Sequence, residues 1–305
     1  MQTNQVRQSV FPLLAAFIWG TAFVAQSVGA EYLGPFTFNT ARSAVAFVFL
    51  LALSLARGYV RRHEYAVEPP RPAQRWDLLL GGLCCGAALA VASFLQQKGL
   101  ETTTAGKSGF ITALYIVIVP VLGLLLKKRP PRAIWISVAL AVAGLYCLCI
   151  TESFSVAAGD FYTLLCAFCF SAHILVIDHF TQKVDGVQLS CVQFFVMTVI
   201  SGIGMLTTES VSWPVVASCA GPILYAGLLS SGVGYTLQIL AQKGSNPTVV
   251  SLLLSLESVF ATLAGVVVLH DQMSGREYLG CVLMLAAVIL AQLPDRRRQE
   301  SARTA

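Results

Sequence analysis

The chain alternates long apolar runs with short polar connections, ten runs in all. They lie near 9–29, 36–56, 77–97, 104–126, 133–151, 160–180, 187–207, 220–241, 247–269 and 276–293. A helix needs about 20 mostly apolar residues to cross a bilayer. A closed barrel is the other way to satisfy backbone groups in lipid, and it would show short alternating strands. The stretch AIWISVALAVAGLYCLCI, starting at Ala133, is almost continuously apolar and does not fit that pattern. The runs therefore predict an all-α integral membrane protein with ten transmembrane helices.

The connections alternate in charge. With the N-terminus in the cytoplasm, sixteen basic residues fall on the cytoplasmic side. They are Arg7, Arg57, Arg61, Arg62, Arg71, Arg75, Lys127, Lys128, Arg129, Arg132, Lys183, Lys243, Arg296, Arg297, Arg298 and Arg303. Only Lys98 and Arg276 fall outside, while Arg42 and Lys107 lie within spans. This is a positive-inside bias, and an even number of spans returns the C-terminus to the cytoplasm with its basic cluster. Both termini are thus expected to be cytoplasmic, in a multi-pass protein of a bacterial inner membrane.

Composition agrees with the address. The 305 residues are 56% hydrophobic and 11% charged, against about 25% charged in a soluble domain. Such a chain cannot cover a globule with polar surface, so the lipid bilayer is its first expected partner. The net charge of +5 sits beside spans rather than on one basic face, so it is no nucleic-acid signal. Eight of nine cysteines lie within spans and Cys219 at the edge of the eighth, so no disulfide framework is expected. Trp19, Gly20 and Gln26 interrupt the first run, and removing it as a signal peptide would leave nine runs and spoil the charge alternation. No P-loop, Rossmann fingerprint or zinc-finger spacing is present, and no cofactor is expected.

A repeat runs through the chain. The third run ends in Gln97-Lys98-Gly99 and the eighth in Gln242-Lys243-Gly244. Each is followed by an apolar run, a short polar turn (127–132 and 270–276) and a last apolar run. The unit is five spans, an odd number, so the halves must have opposite orientation. The expected organisation is a first five-helix repeat at 9–151 with a cytoplasmic linker at 58–75, a second at 160–293, and a basic tail at 294–305. Inverted repeats are a recurrent transporter architecture with the site near the midplane.

Several segments, taken in order, resemble a known family. They are FPLLAAFIWGTAFVAQ in the first run, TARSAVAFVFLLAL in the second, FLQQKGLETTTAGKSGFITALYIVIVPVLGLLL across the third and fourth, and QILAQKGSNPTVVSLLLSLESVFATLAGVVVLHDQMSGREYLGCVLMLAAVIL across the last three. The set resembles the drug/metabolite transporter superfamily, specifically two EamA-type domains in tandem, over residues 11–293. The resemblance implies two inverted five-helix repeats around a central cavity. It also implies export of small metabolites such as amino acids, toxic analogues or nucleotide precursors, frequently coupled to ions. Two positions depart from the family pattern. Glu257 is followed by Ser258 where a proline is common, and His270-Asp271 stands where an acidic Glu is common.

Ionisable residues inside lipid are costly and point to function. Glu257 lies about 15 Å into its span, at the bilayer centre. It must face a wet cavity, find a partner or carry a proton, which makes it a candidate proton carrier; buried glue between helices is the other reading. Arg42 lies about 9 Å from the outer end of its span. It can snorkel, pair with Glu31 or Glu257, or grip a substrate carboxylate or phosphate in bidentate fashion. Lys107 near the outer end of the fourth span can line a pocket or snorkel. His173 shares a helix face with Cys166 and Cys169, but a metal site would lack a fourth ligand, and none is expected. His173 instead reads as a pH-sensitive or substrate-contacting group, or as packing. Trp19, Asn39, Gln96, Tyr115, Gln193, Tyr235 and Gln238 are candidates to line a cavity. Gly82 and Gly86 form a Gly-x-x-x-Gly pair suited to close helix contact, and Pro120 is a candidate hinge.

The leading expectation is a secondary transporter of a small organic solute, working by alternating access with protons as a candidate coupling ion. An integral-membrane enzyme would cluster acids, histidines or a nucleophile at one interface. A channel would show rings of repeated charge or a filter loop. Neither pattern is visible, and an integral-membrane enzyme or a non-transport membrane component is the alternative reading.

Overall fold

The structure is a computed structural model that describes residues 2–64, 72–103, 105–125, 132–149, 158–264 and 274–292. Every regular element among them is helical. The order is α1 (Gln2–Tyr32), α2 (Pro35–Glu64), α3 (Pro72–Leu100), α4 (Ala105–Ala113), α5 (Tyr115–Leu125), α6 (Arg132–Cys149), α7 (Ala158–Phe180) and α8 (Gly186–Thr208). Then come α9 (Trp213–Ser218), α10 (Ala220–Leu224), a π-helical segment (Tyr225–Gly234), α11 (Tyr235–Gln242), α12 (Pro247–Leu254), α13 (Glu257–Ala264) and α14 (Gly275–Gln292).

Seven stretches among the described residues are long and apolar enough to cross a membrane, and two shorter apolar helices are Arg132–Cys147 and Pro247–Ala261. The expected spans at 133–151, 247–269 and 276–293 are not among the seven. The apolar side chains left on the outside agree with a lipid solvent: Val48, Leu83, Phe195, Ile203, Leu206 and Ile289 are all exposed.

Packing is dominated by α3 against α7 and α8, α2 against α8, and α6 against α14. The α3–α8 contact is close because of the Gly pair. A Cβ on Gly86 would stand 2.6 Å from the Gln193 carbonyl oxygen, and one on Gly82 would strike the Val192 side chain. Gly20 does the same for α1 and α13, where a Cβ would lie 2.6 Å from the Glu257 carbonyl oxygen.

Contacts between helix ends sort into two faces. At one, Glu209 beyond the C-terminus of α8 caps α2, accepting from the N–H groups of Phe36 and Thr37 at 2.8 Å each. A carboxylate at a helix N-terminus satisfies orphan donors and complements the dipole. Thr103 after α3 donates to Asp160 at the start of α7 at 2.9 Å. At the other face Arg57 meets Asp185 at 3.6 Å and Lys183 meets Asp77 at 3.5 Å. Gln8 donates there to the Gly244 carbonyl at 3.2 Å. Because α8 runs from Gly186 to Thr208, the α7–α8 turn and the Glu209 cap lie at opposite ends. We call these the Gly186 face and the Pro35 face.

Two hydrogen bonds match. Gln97 near the end of α3 donates Nε2 to the Gln26 carbonyl of α1 at 3.0 Å, 71 residues away. Gln242 at the end of α11 donates Nε2 to the Ile174 carbonyl of α7 at 2.8 Å, 68 residues away. Both amides are buried and both leave Oε1 without a partner. The two Gln-Lys-Gly triplets thus end helices that are tied in the same way.

Candidate functional site

Three helical runs lose regular geometry at mid-length, and the site forms there. Between α4 and α5, Leu114 makes a tight turn: its N–H bonds Ile111 at 3.2 Å and its carbonyl takes the Val117 N–H at 2.9 Å. Pro120 lies inside α5, six residues further on, and is buried. Between α12 and α13, Ser255 and Leu256 interrupt the helix, with the Leu256 N–H on Leu253 at 3.3 Å and the Ser258 N–H on Ser255 at 3.2 Å. The Ser255 hydroxyl bonds the Leu252 carbonyl at 2.8 Å and competes with the backbone ladder. No proline is needed for this break, although the family pattern places one after Glu257. Tyr115 opens α5 and Glu257 opens α13.

The third interruption is the π segment. Its Gly and Ser residues let α1 and α2 come close: a Cβ on Gly227 would lie 2.9 Å from the Arg42 carbonyl, and one on Gly234 would lie 2.6 Å from Trp19 Nε1. The indole N–H of Trp19 donates to the Ser230 carbonyl at 3.1 Å. π-helical turns concentrate at functional sites, where the helical ladder is locally disturbed.

The three interruptions border one cavity. α1 supplies Trp19, Phe23 and Gln26, α2 supplies Arg42, and α3 supplies Gln96. Thr112 and Tyr115 line it from α4 and α5, with Phe170 and Ile174 from α7. Ser230, Tyr235 and Gln238 come from the π segment and α11, and Leu254 and Glu257 from α12 and α13. Trp19 and Tyr235 form one wall, their rings 4.7 Å apart.

Arg42 is 3% exposed and does not reach solvent past the helix end. Its Nε donates to Asn39 Oδ1 at 2.9 Å and its Nη1 to Gln26 Oε1 at 3.2 Å. A guanidinium has five N–H donors, and both recorded acceptors are neutral amides. Glu257 is 5% exposed and accepts from the Tyr115 hydroxyl at 3.2 Å. Arg42 and Glu257 line the same cavity, and no ion pair joins them among the described residues. A buried cation and a carboxyl, each held only by neutral partners among the described residues, can accept opposite charges from a solute.

Of the residues singled out in the sequence, Trp19, Arg42, Gln96, Tyr115, Tyr235, Gln238 and Glu257 share this cavity. Asn39 stands behind it and orients Arg42. His173 lies outside it, fully buried, bonded through Nε2 to Gln193 Oε1 at 3.1 Å. The Lys107 side chain lies outside the described residues, as do His270 and Asp271. Cys166, Cys169 and His173 share a helix, but no group of three His, Cys, Asp or Glu among the described residues is placed to hold a metal. Gln26, Thr112 and Ser230 were not singled out as site residues. Gln26 showed in the sequence only as a break in an apolar run, and Ser230 acts through a backbone carbonyl.

The model of the EamA-like transporter family matches residues 9–150 and again 157–293. The chain belongs to the EamA-like transporter family. An uncharacterized transporter of Archaeoglobus fulgidus is 30% identical over 287 residues, which cover 92% of this chain and 84% of that protein. The uncharacterized transporter YwfM of Bacillus subtilis is 28% identical, over 95% of both chains. A solved crystal structure shares the fold with a TM-score of 0.77 at 19% identity, covering 95% of this chain and 98% of the other. Family membership and the apolar helices make this a multi-pass membrane transporter.

Proposed function

We propose that the chain is a secondary active transporter of a small organic metabolite, an amino acid or related compound, working by alternating access with proton coupling. Ten spans form two inverted five-helix halves, and both termini are cytoplasmic in a bacterial inner membrane. The Pro35 face is then external and the Gly186 face cytoplasmic, as the placement of Arg57, Lys183 and Lys243 requires under the positive-inside rule. The matched Gln97 and Gln242 hydrogen bonds support the repeat, and the sorting of end contacts supports the inversion. Export is the direction the family resemblance implies.

The observation that carries the reading is one cavity holding Arg42 and Glu257, unpaired and on segments from different halves. Arg42 anchors a carboxylate with its remaining donors. Glu257, at the N-terminus of a half-helix near mid-membrane, takes either a proton or the solute's cationic group. Broken helices at the midplane are where inverted-repeat transporters place such groups. Trp19 and Tyr235 contact the body of the solute.

The test is transport by the purified protein in liposomes against a panel of amino acids and organic acids, with and without a pH gradient. Accumulation of a panel member that collapses when Arg42 is changed to Ala is the expected outcome. A protein that moves nothing in the panel under either condition overturns the proposal.

A further inference from the structure

The hairpin α1–α2 has a counterpart in α7–α8, and the two carry similar polar pairs at similar depth. In α1–α2, Gln26 lies six residues before Tyr32, where α1 ends, and Arg42 seven residues after Pro35, where α2 begins. In α7–α8, His173 lies seven residues before Phe180 and Gln193 seven residues after Gly186. Each pair is joined across its hairpin, Arg42 to Gln26 at 3.2 Å and His173 to Gln193 at 3.1 Å. The matched glutamine bonds set a correspondence that falls within one residue of this: Gln97 ends on the Gln26 carbonyl and Gln242 on that of Ile174, the residue after His173. The two hairpin turns lie at opposite faces, because Glu209 at the far end of α8 caps the start of α2.

The pairs differ in access. Arg42 and Gln26 line the cavity. His173 and Gln193 are both 0% exposed. His173 packs its ring edge-on against Tyr235, 6.0 Å between centroids, and Tyr235 is itself a wall of the cavity. Nδ1 of His173 and Nε2 of Gln193 have no partner. Buried polar atoms are almost always satisfied, so two orphans on adjoining side chains need an explanation. A pair that belongs to another conformation supplies one.

We infer that His173 and Gln193 form a second solute subsite, the inverted counterpart of Arg42 and Gln26, which receives an acceptor oxygen such as a carboxylate's in the conformation open to the Gly186 face. The inference rests on the alternating-access reading above. The Gln193 amide brings two N–H donors for that oxygen; with the His173 Nε2–H held on Gln193 Oε1, Nδ1 of the neutral ring accepts and takes a donor of the same solute. Tyr235 separates the two subsites, so its displacement joins them. A solute then leaves the charged Arg42 for a neutral site, which holds it less firmly on the way through.

Three single variants, Arg42→Cys, His173→Cys and Gln193→Cys, test this in oriented membrane vesicles. Each face is treated with a membrane-impermeant anionic reagent, sulfonatoethyl methanethiosulfonate, or its cationic trimethylammonium analogue. Modification is read by mass spectrometry at the substituted position, which separates it from native cysteines. Rates are scaled to those with a free thiol. Arg42→Cys is expected to react from the Pro35 face. His173→Cys and Gln193→Cys are expected to react from the Gly186 face, and His173→Cys, which keeps the Gln193 amide, several-fold faster with the sulfonate. If Arg42→Cys reacts as stated while the other two react from neither face or from the Pro35 face, or His173→Cys reacts better with the cation, the second subsite is overturned and the transporter reading stands. If Arg42→Cys reacts from neither face, the cavity reading fails and takes this inference with it.

Discussion

α3 and the run from α10 through the π segment to α11 hold corresponding places in the two family segments, 9–150 and 157–293. Each closes on Gln-Lys-Gly, and each ties its glutamine to a carbonyl of the helix that opens its segment. Their backbones differ. α3 is an unbroken helix of 29 residues and gives the cavity the Gln96 side chain. Its counterpart winds through ten π-helical residues and gives Ser230, Tyr235 and Gln238. The next helices repeat the lesson from the other side. Both are interrupted at mid-length, yet one break presents a phenol, Tyr115, and the other a carboxyl, Glu257, and the two hydrogen-bond each other. A repeated scaffold positions the cavity, and departures from the repeat supply its chemistry.

The largest expected effect comes from closing the approach that lets the second segment reach α1. Gly20→Ala places a methyl 2.6 Å from one backbone atom and 2.8 Å from another on α13. Overpacking of this kind costs about 1–3 kcal/mol. The expected result is loss of transport and a lower unfolding temperature in detergent, whereas Gly58→Ala, with nothing within 4 Å, changes neither.

Arg42→Ala removes the one cation that the cavity holds among the described residues. A hydrogen bond to a charged group is worth about 1.5–3 kcal/mol, so affinity for the transported solute should fall about 10- to 100-fold. Arg42→Lys should recover little of it, because an ammonium cannot reach Asn39, Gln26 and a carboxylate with one planar fork. Equal affinity in all three proteins would remove Arg42 from the site.

Glu257→Gln keeps an acceptor for Tyr115 but cannot exchange a proton. Solute exchange between equal pH compartments should persist while pH-driven accumulation disappears. A variant that still accumulates solute on a pH gradient would place the coupling elsewhere. Tyr115→Phe cuts the bond between the two breaks, and the expected cost is about 1 kcal/mol in chemical unfolding. Smallest of all, Gln97→Leu and Gln242→Leu each remove one hydrogen bond and one unpartnered oxygen. Both should shift stability by less than about 1 kcal/mol, and by like amounts. Clearly unequal shifts would weaken the correspondence between the segments.

Much of the candidate site was legible because burying an ionisable group in lipid is costly enough to mark it. Arg42 and Glu257 stood out for that reason, and the large amphipathic residues Trp19, Tyr115 and Tyr235 followed. Gln26 and Thr112 did not, since single amides and hydroxyls in spans are common and cheap. Ser230 could not, since its carbonyl is like any other until the π segment turns it toward Trp19. Pro120, the candidate hinge, lies inside α5, and the interruption of the fourth run falls at Leu114, where nothing in the local sequence marks it.

Hydropathy, charge alternation and the Gln-Lys-Gly repeat by themselves determined that this chain lives in lipid, is helical and is built twice. These properties follow from transfer energies and helix length, which depend on each residue's own chemistry. Tertiary structure decided which in-span polar groups meet, that Arg42 and Glu257 share a cavity without pairing, and that His173 stays outside it. Those outcomes depend on helix rotation, on glycine contacts such as Gly20 with α13, and on where helices break, all set by packing between segments far apart in the chain.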